Sequence, residues 1–302
     1  MTYSIVARDP NTGELGIGVQ SRFFAVGRLV PWIEGGVGAI ASQAFVNPAY
    51  GYQGLSLLRA GVAPQEALQR LLSADSGAAI RQVAMIDAHG GTAVHTGASC
   101  LPTAGHALGA SCAAQANLMA RETVWRAMVD AFERASGDLA ERLLAAMEAA
   151  EREGGDLRGK QAAALIVVSG QRSENPRART FELRVDDHPD PVGEIKRLLS
   201  YARAHNRAAQ AGERAFAGDV EGALADLETC CTAYPDEPEF VARMALTLLA
   251  SGRTDEARAR FGQIRAIDPG WAEFLLRFAR SGVIPIAPQA VESWAAALER
   301  DR

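Results

Sequence analysis

The chain has 302 residues, of which 48% are hydrophobic and 22% are charged, a composition typical of a globular protein with a full buried core. The formal net charge is −5 at pH 7 and the 31 basic residues are scattered, so the basic patch of a nucleic-acid-binding protein is missing. No apolar run approaches the ~20 residues that span a bilayer, and the first residues do not resemble a secretion signal. We therefore expect a cytoplasmic protein that binds neither nucleic acid nor membrane.

Four cysteines occur, at Cys100, Cys112, Cys230 and Cys231, and their spacing matches no metal-binding motif. Because neighbouring cysteines are poorly placed to pair with each other, a reducing compartment fits the sequence better than a disulfide-stabilised fold. The glycine-rich motifs that bind dinucleotides or nucleotide phosphates are also missing. We therefore expect neither a metal nor any other cofactor.

The first part of the chain alternates strand-like and helix-like patterns. Residues 2–8 and 15–21 are predicted strands joined by a turn at Asp9 to Gly13, which indicates a hairpin. The further predicted strands cover residues 36–42, 81–87, 92–96, 108–116, 162–168 and 180–185, and the predicted helices cover 51–59, 64–73, 122–135 and 138–151. This order of elements favours sheets whose outer faces are covered by helices.

Everything after Asp190 has a helical pattern, which predicts two domains, residues 1–190 and 191–302. In the second domain a period of 34 residues recurs, the period of tetratricopeptide helical repeats. The residues that pair at this spacing are Gly218 and Gly252, Ala223 and Ala257, Pro235 and Pro269, Glu239 and Glu273, and Phe240 and Phe274. Residues 201–280 thus resemble the tetratricopeptide family, and we expect the tail after Pro285 to cap the stack.

Such repeats commonly hold a partner on their concave face, so we expect them to recruit a protein or a second subunit. The alternative is that they merely cover the edge of a sheet.

Four stretches of the first domain carry a resemblance to a known family. They are residues 2–9 with 12–16, residues 36–44 with 47–48 and 50–51, residues 154–161, and residues 184–191. Through them the first 200 residues resemble domain-of-unknown-function family 1028, which is placed among the N-terminal nucleophile (Ntn) hydrolases. The resemblance implies an α+β fold, a four-layer αββα sandwich with two antiparallel sheets inside, here followed by an all-α repeat domain.

The resemblance also implies a chemistry, in which an N-terminal threonine, serine or cysteine attacks an amide carbonyl and its own α-amino group takes the proton. An α-amine titrates near pH 8, so it can act as a base without a histidine. Thr2 follows Met1 at the start of the first strand, and a small second residue is compatible with removal of the initiator methionine. Thr2 is therefore the predicted nucleophile.

The remaining site residues follow from the same resemblance. Gln20, Ser21 and Arg22 occupy the positions where proteasome-type enzymes have an acidic residue, a small polar residue and an arginine, so Arg22 is predicted to hold a carboxylate. Asp156 has the spacing of the aspartate that lies near the free amine, and Lys160 is one of only two lysines in the chain. The predicted donors to the oxyanion are Ser42, Gln43, Asn47 and Asn117.

The sequence therefore predicts an Ntn amidohydrolase that cleaves an amide bond in a small or peptide-like substrate, with a C-terminal protein-interaction module. The lysine that proteasome-type enzymes carry in the strand after Arg28 is missing. This absence keeps open an alternative, a catalytically inactive binding or scaffold protein that uses the sandwich pocket and the repeats. In either case we expect a homo-oligomer.

Overall fold

The computed structural model describes residues 1–175, 178–283 and residue 292. The chain divides into two compact units, residues 1–199 and 200–302. Within the described part of the chain, none of the helices has the length and apolar character needed to cross a membrane.

The first unit contains ten strands among its described residues. They are β1 (Thr2–Arg8), β2 (Leu15–Ser21), β3 (Pro31–Glu34), β4 (Gly38–Ala44), β5 (Arg81–Asp87), β6 (Thr92–Thr96), β7 (Gly105–Leu108), β8 (Cys112–Asn117), β9 (Ala162–Val168) and β10 (Phe181–Val185). Six strands form one sheet in the order β10-β9-β2-β1-β8-β7, and four form a second in the order β3-β4-β5-β6. All neighbouring strands are antiparallel.

The two sheets pack face to face, and helices cover both outer faces. Alternate residues of the strands meet between the sheets, where Val6, Ile17 and Ile86 belong to one buried cluster. Helices α1 (Ala49–Arg59) and α2 (Pro64–Ser73) cover the four-stranded sheet, and α3 (Val124–Arg134) and α4 (Leu139–Arg152) cover the six-stranded sheet. The unit is therefore the predicted αββα sandwich.

Two glycines of β2 let α4 lie directly on the sheet. A Cβ atom at Gly16 would stand 2.5 Å from Leu143 Cδ1, and one at Gly18 would stand 2.8 Å from Met147 Sδ. The helix itself begins with a reciprocal capping box between Asp138 and Glu141, which fixes its first turn. This close packing fixes β2, whose last residue is Ser21.

The second unit is helical throughout its described residues. Its elements are the end of α5 (Pro191–Phe216), then α6 (Val220–Ala233), α7 (Pro238–Ala250), α8 (Thr254–Ile267) and α9 (Pro269–Arg280). Gly218 and Gly252, which pair at the repeat spacing, have φ angles of 96° and 81° and stand in the turns between helices. Ala223 and Ala257, which also pair, are fully buried where the helices approach each other.

The fold class is confirmed, and the differences concern individual strands. The predicted strand 108–116 spans the last residue of β7, a turn and most of β8, and neither the rest of β7 nor the short strand β3 was predicted. The predicted strand 36–42 lies two residues later, as β4. The cap expected after Pro285 falls outside the described residues.

Candidate active site at the start of the first strand

Thr2 begins β1 in the middle of the six-stranded sheet. Its backbone lies between Ser21 at the end of β2 and Asn117 at the end of β8. The strand alternation directs Thr2 toward the space between the sheets, on the same face as Ser4 and Val6. Thr2 is only 4% exposed, and its Oγ1 donates a hydrogen bond to Ser21 Oγ at 3.1 Å.

Three buried amide side chains, Gln43, Gln82 and Asn117, form an amide cluster beside Thr2. Gln43 Nε2 donates to the Thr2 carbonyl oxygen at 3.0 Å and to Gln82 Oε1 at 2.8 Å. Asn117 Nδ2 donates to Gln82 Oε1 at 2.8 Å and contacts the Thr2 carbonyl oxygen at 3.5 Å. A buried network of this kind holds its members in one arrangement, so the amide cluster fixes the backbone of Thr2.

Asp156 is a buried carboxylate next to the same strand ends. Its Oδ2 accepts hydrogen bonds from Arg158 Nη2 at 2.7 Å and from the Arg22 backbone N–H at 3.0 Å. Its Oδ1 accepts from the backbone N–H of Arg158 at 3.0 Å and from Arg158 Nε at 3.1 Å. A buried carboxylate needs both a counter-charge and hydrogen bonds, and Arg158 together with the Arg22 backbone N–H supplies both to Asp156.

The carbonyl oxygen of Met1 accepts two hydrogen bonds at this site. Ser21 Oγ donates to it at 2.6 Å, and Arg158 Nη2 donates to it at 2.9 Å. The Met1 amine is also part of this environment. Its pKa is lowered from the ordinary value of 8.0, first by burial and then by the positive charge of Arg158, while Asp156 acts in the opposite direction.

Five of the predicted site residues lie together, or are linked by hydrogen bonds, at this end of the sheet: Thr2, Gln43, Asn117, Asp156 and Arg22. The Arg22 guanidinium donates from Nη1 to the Lys160 carbonyl oxygen at 2.9 Å, so Lys160 adjoins the site through its backbone.

The side chain of Lys160 has different partners. Its ammonium forms ion pairs with Glu151 at 2.8 Å and with Asp190 at 3.4 Å rather than contacting Thr2. The hydrogen bond with Glu151 raises the pKa of Lys160, so this side chain is a charged group and not a base at neutral pH.

Ser42 and Asn47 are not brought to Thr2. Since Gln43 faces the space between the sheets, its neighbour Ser42 faces the other side of β4, where its Oγ contacts the Asn47 carbonyl oxygen at 3.4 Å. Asn47 Oδ1 accepts from the Ala49 backbone N–H at 3.0 Å, so its side chain satisfies a donor of the first turn of α1. Asn47 Nδ2 contacts Asp75 at 3.4 Å.

Gln82 and Arg158 belong to the site but are not among the predicted residues. Gln82 lies in β5 between Arg81 and a run of four apolar residues, and it shares a face with Ala84 and Ile86. A lone glutamine at an inward position of an apolar strand was the signal that could have identified it. Arg158 lies two residues after Asp156 in a glycine-rich loop, and no local pattern distinguishes it from a solvated arginine.

No group of three or more histidine, cysteine, aspartate or glutamate side chains that could hold a metal occurs within the described ranges. Burial raises the pKa of the Cys112 thiol to about 12, so this cysteine remains protonated.

The fold and the site define the first unit as an αββα sandwich with a buried threonine at the start of a central strand. Residues 2–195 match the model of a family of unknown function, DUF1028, and residues 217–276 match a tetratricopeptide repeat model. The chain belongs to the DUF1028 family, as predicted, and carries a tetratricopeptide region.

A solved structure agrees with this assignment. The crystal structure of protein SPO2555 from Silicibacter pomeroyi, which is assigned to DUF1028, is similar with a TM-score of 0.60 and 34% sequence identity. The match covers 67% of this chain and 88% of that one. No curated protein matches the chain.

Proposed function

We propose that the protein is an Ntn amidohydrolase, which cleaves an amide bond in a small or peptide-like substrate with Thr2 as its nucleophile. The observation that carries the proposal is the position of Thr2. It begins a central strand of an αββα sandwich, and its hydroxyl lies within hydrogen-bond distance of Ser21, beside the ion pair of Asp156 and Arg158.

The proposed chemistry requires a free Thr2 amine. With Met1 attached, the nitrogen of Thr2 is an amide, which cannot act as a base, and Thr2 is almost completely covered. Removal of whatever precedes Thr2 converts this nitrogen into an amine. Burial and then Arg158 lower the pKa of the Met1 amine, and we expect a shift in the same direction for the amine of Thr2, which would favour its neutral form.

In the first step the Thr2 Oγ forms a bond to the carbonyl carbon of the substrate, and the hydroxyl proton passes to the α-amine. The carbon–nitrogen bond of the substrate then breaks, and the leaving amine takes this proton. Water hydrolyses the resulting ester by the reverse roles. The amide cluster contributes by holding the Thr2 carbonyl, which fixes the orientation of the amine and the hydroxyl toward the substrate.

The proposal is tested by intact-mass spectrometry of a chain that starts at Thr2, prepared by cleaving off a leader peptide. A β-lactone, which acylates nucleophilic threonines, should add once. The adduct should be absent in Thr2→Ala, retained in Thr2→Ser, and absent in a chain that keeps Met1. A Thr2-first chain that is folded and never takes the probe would contradict the proposal and favour the inactive scaffold.

We propose a second role for the repeat unit, the binding of an apolar polypeptide segment. A cavity of about 790 Å³ opens in this unit, lined by residues of α5, α6, α7 and α9. Two of its lining aromatic side chains are exposed, Phe216 at 93% and Phe274 at 49%. Exposed aromatic groups around an apolar cavity are typical of a binding surface.

This role is tested by covalent cross-linking in a cell extract. The unaltered chain should form a cross-linked product with a partner protein, and this product should disappear when Phe216 and Phe274 are both changed to alanine. The control is Tyr52→Ala, at an exposed aromatic position of the first unit, which should still form the product. An unchanged set of cross-linked proteins would contradict this role.

A further inference from the structure

We infer that the Ser21 hydroxyl and the Arg158 guanidinium form the binding site for the carbonyl oxygen of the substrate's acyl group. This inference rests on the proposed function. It assigns a catalytic role to Ser21, which the resemblance named only as a small polar residue, and to Arg158, which the resemblance did not supply.

The carbonyl group of Met1 is the observation that points to this site. It accepts hydrogen bonds from Ser21 Oγ at 2.6 Å and from Arg158 Nη2 at 2.9 Å. Met1 is an acyl group carried on the nitrogen of Thr2. Because the nitrogen and the hydroxyl of a threonine are attached to neighbouring carbons, an acyl group on the nitrogen lies beside the place where the hydroxyl would carry one. The Met1 carbonyl therefore stands in for the carbonyl of an acyl-enzyme.

A second contact ties the carbonyl oxygen to the nucleophile. Ser21 Oγ, which donates to the Met1 oxygen, itself accepts from Thr2 Oγ1 at 3.1 Å. One serine thus adjoins both the attacking oxygen and the oxygen on which negative charge would develop. This arrangement meets the geometric condition for stabilising an oxyanion, in which fixed donors lie within hydrogen-bond distance of the developing charge.

Arg158 is suited to the same task by its charge and its restraint. Its guanidinium is held by two hydrogen bonds to the buried carboxylate of Asp156, and its backbone N–H donates a third to the same carboxylate. The side chain is nevertheless about one-third exposed, so it can be reached by a substrate. Loss of Met1 removes one acceptor from Nη2 and leaves a hydrogen directed at the vacated position. Asp156 is by this argument a positioning residue, acting through Arg158.

In the attack step the carbon–Oγ bond forms while the electron pair of the carbonyl π bond moves to the oxygen. The Ser21 hydroxyl and Arg158 Nη2 donate hydrogen bonds to the oxyanion, and neither loses its proton. When the oxyanion collapses, the pair returns to the carbonyl and the carbon–nitrogen bond of the substrate breaks. The donors therefore act twice, once in acylation and once in deacylation.

The test measures the rate at which a β-lactone acylates the Thr2-first chain. Removal of one oxyanion donor typically lowers a rate by about 100-fold or more. We expect Arg158→Gln to slow adduct formation by about 100-fold and Ser21→Ala to slow it by at least about 10-fold. Arg158→Lys should recover part of the loss, because it keeps the charge without the fork geometry. Arg126→Gln, which removes an exposed ion pair with Asp130 on α3, is the matched control and should react at the normal rate.

Circular dichroism and thermal unfolding identify variants that fail to fold. If Arg158→Gln does not fold, the rate measured for Ser21→Ala tests the inference instead. Folded Arg158→Gln and Ser21→Ala chains that react as fast as the unaltered chain would overturn the inference while leaving the proposed nucleophile intact. Absence of any Thr2 adduct in the unaltered Thr2-first chain would instead overturn the proposed function itself.

Discussion

Asp156 receives three hydrogen bonds from Arg158, at 2.7, 3.0 and 3.1 Å, and only Leu157 lies between these two residues in the chain. The Asp156 side chain is completely buried, whereas that of Arg158 is partly exposed. The same carboxylate accepts a hydrogen bond from the backbone N–H of Arg22, the first residue after β2. A short loop is thereby joined to the end of a central strand.

We predict that Asp156→Asn destabilises the first unit. The asparagine keeps the shape of the side chain but removes the charge that faces the Arg158 guanidinium, and breaking a buried pair by removing one partner costs about 3–5 kcal/mol when both groups are buried. Because Arg158 is partly exposed, we expect a loss of about 2 kcal/mol in the free energy of unfolding, measured by urea denaturation. Asp130→Asn, at a surface ion pair, is the control, and equal stability of the two variants would contradict the prediction.

The strands with strong patterns could be predicted from the sequence. Residues 2–8, 15–21 and 162–168 are strands with the predicted bounds, because each is a continuous run of strand-forming residues bounded by turns. Strand β3 was not predicted because it has only four residues, begins with Pro31 and is too short to show a clear alternation of apolar and polar residues. The pattern of residues 108–116 predicts one strand because the turn between β7 and β8, at Gly109 to Ser111, is only three residues long.

The candidate site could be predicted only where the family resemblance supplied it. Thr2, Asn117 and Asp156 came from that resemblance, and the structure brings them together. Gln82 could not be found this way, because its role depends on the packing of two sheets. Its hydrogen-bond partner Asn117 lies 35 positions away in the sequence, and Gln43 and Thr2, which also form a hydrogen bond, are 41 positions apart. The Ser42 side chain does not face Thr2 because Ser42 is the neighbour of Gln43 in β4, and adjacent residues of a strand point to opposite faces of the sheet.

We predict that Asp75 contributes stability that is lost in acid. Hydrogen bonds from Arg81, and then from the Gly77 backbone N–H and from Asn47 and Tyr50, hold its pKa well below the ordinary range. A carboxyl whose folded pKa is depressed stabilises the fold above its unfolded pKa of about 3.9 and loses that contribution as the pH falls toward the folded pKa.

When the pH falls from 7 to 3, the loss of this contribution lowers the free energy of unfolding by about 1 kcal/mol. The unaltered chain should therefore lose about 1 kcal/mol more over this interval than Asp75→Asn, measured as urea denaturation at both pH values. Equal losses in the two chains would show that Asp75 does not carry this pH dependence.

We predict opposite effects for alanine at two glycines. A Cβ at Gly16 would stand 2.5 Å from Leu143 Cδ1 and 3.1 Å from Leu139 Cδ2, so Gly16→Ala forces α4 away from β2 and should cost about 1–3 kcal/mol. Gly262 lies exposed in α8 with nothing within 4 Å of an added Cβ, so Gly262→Ala should stabilise the repeat unit by about 0.5–1 kcal/mol.

Thermal unfolding followed by circular dichroism measures both effects, and the double variant Gly16→Ala with Leu143→Ala separates the clash from the loss of a core side chain. A neutral Gly16→Ala would mean that α4 is free to shift on the sheet.

We predict that acylation of the Thr2-first chain follows the ionisation of its α-amine. Only the neutral amine can accept the proton of the hydroxyl, so the rate should rise with pH. Burial and then Arg158 lower the pKa of the Met1 amine from its ordinary value of 8.0, and we expect the midpoint set by the Thr2 amine to be shifted in the same direction. Arg158→Gln removes a positive charge that disfavours the protonated amine, and it should move the midpoint upward as well as lowering the maximal rate. Rates of β-lactone adduct formation between pH 5 and 10 give both quantities, with Arg126→Gln as the control. A midpoint that stays in place in Arg158→Gln would mean that this guanidinium does not act on the amine, and the rate would then have to be governed by another group.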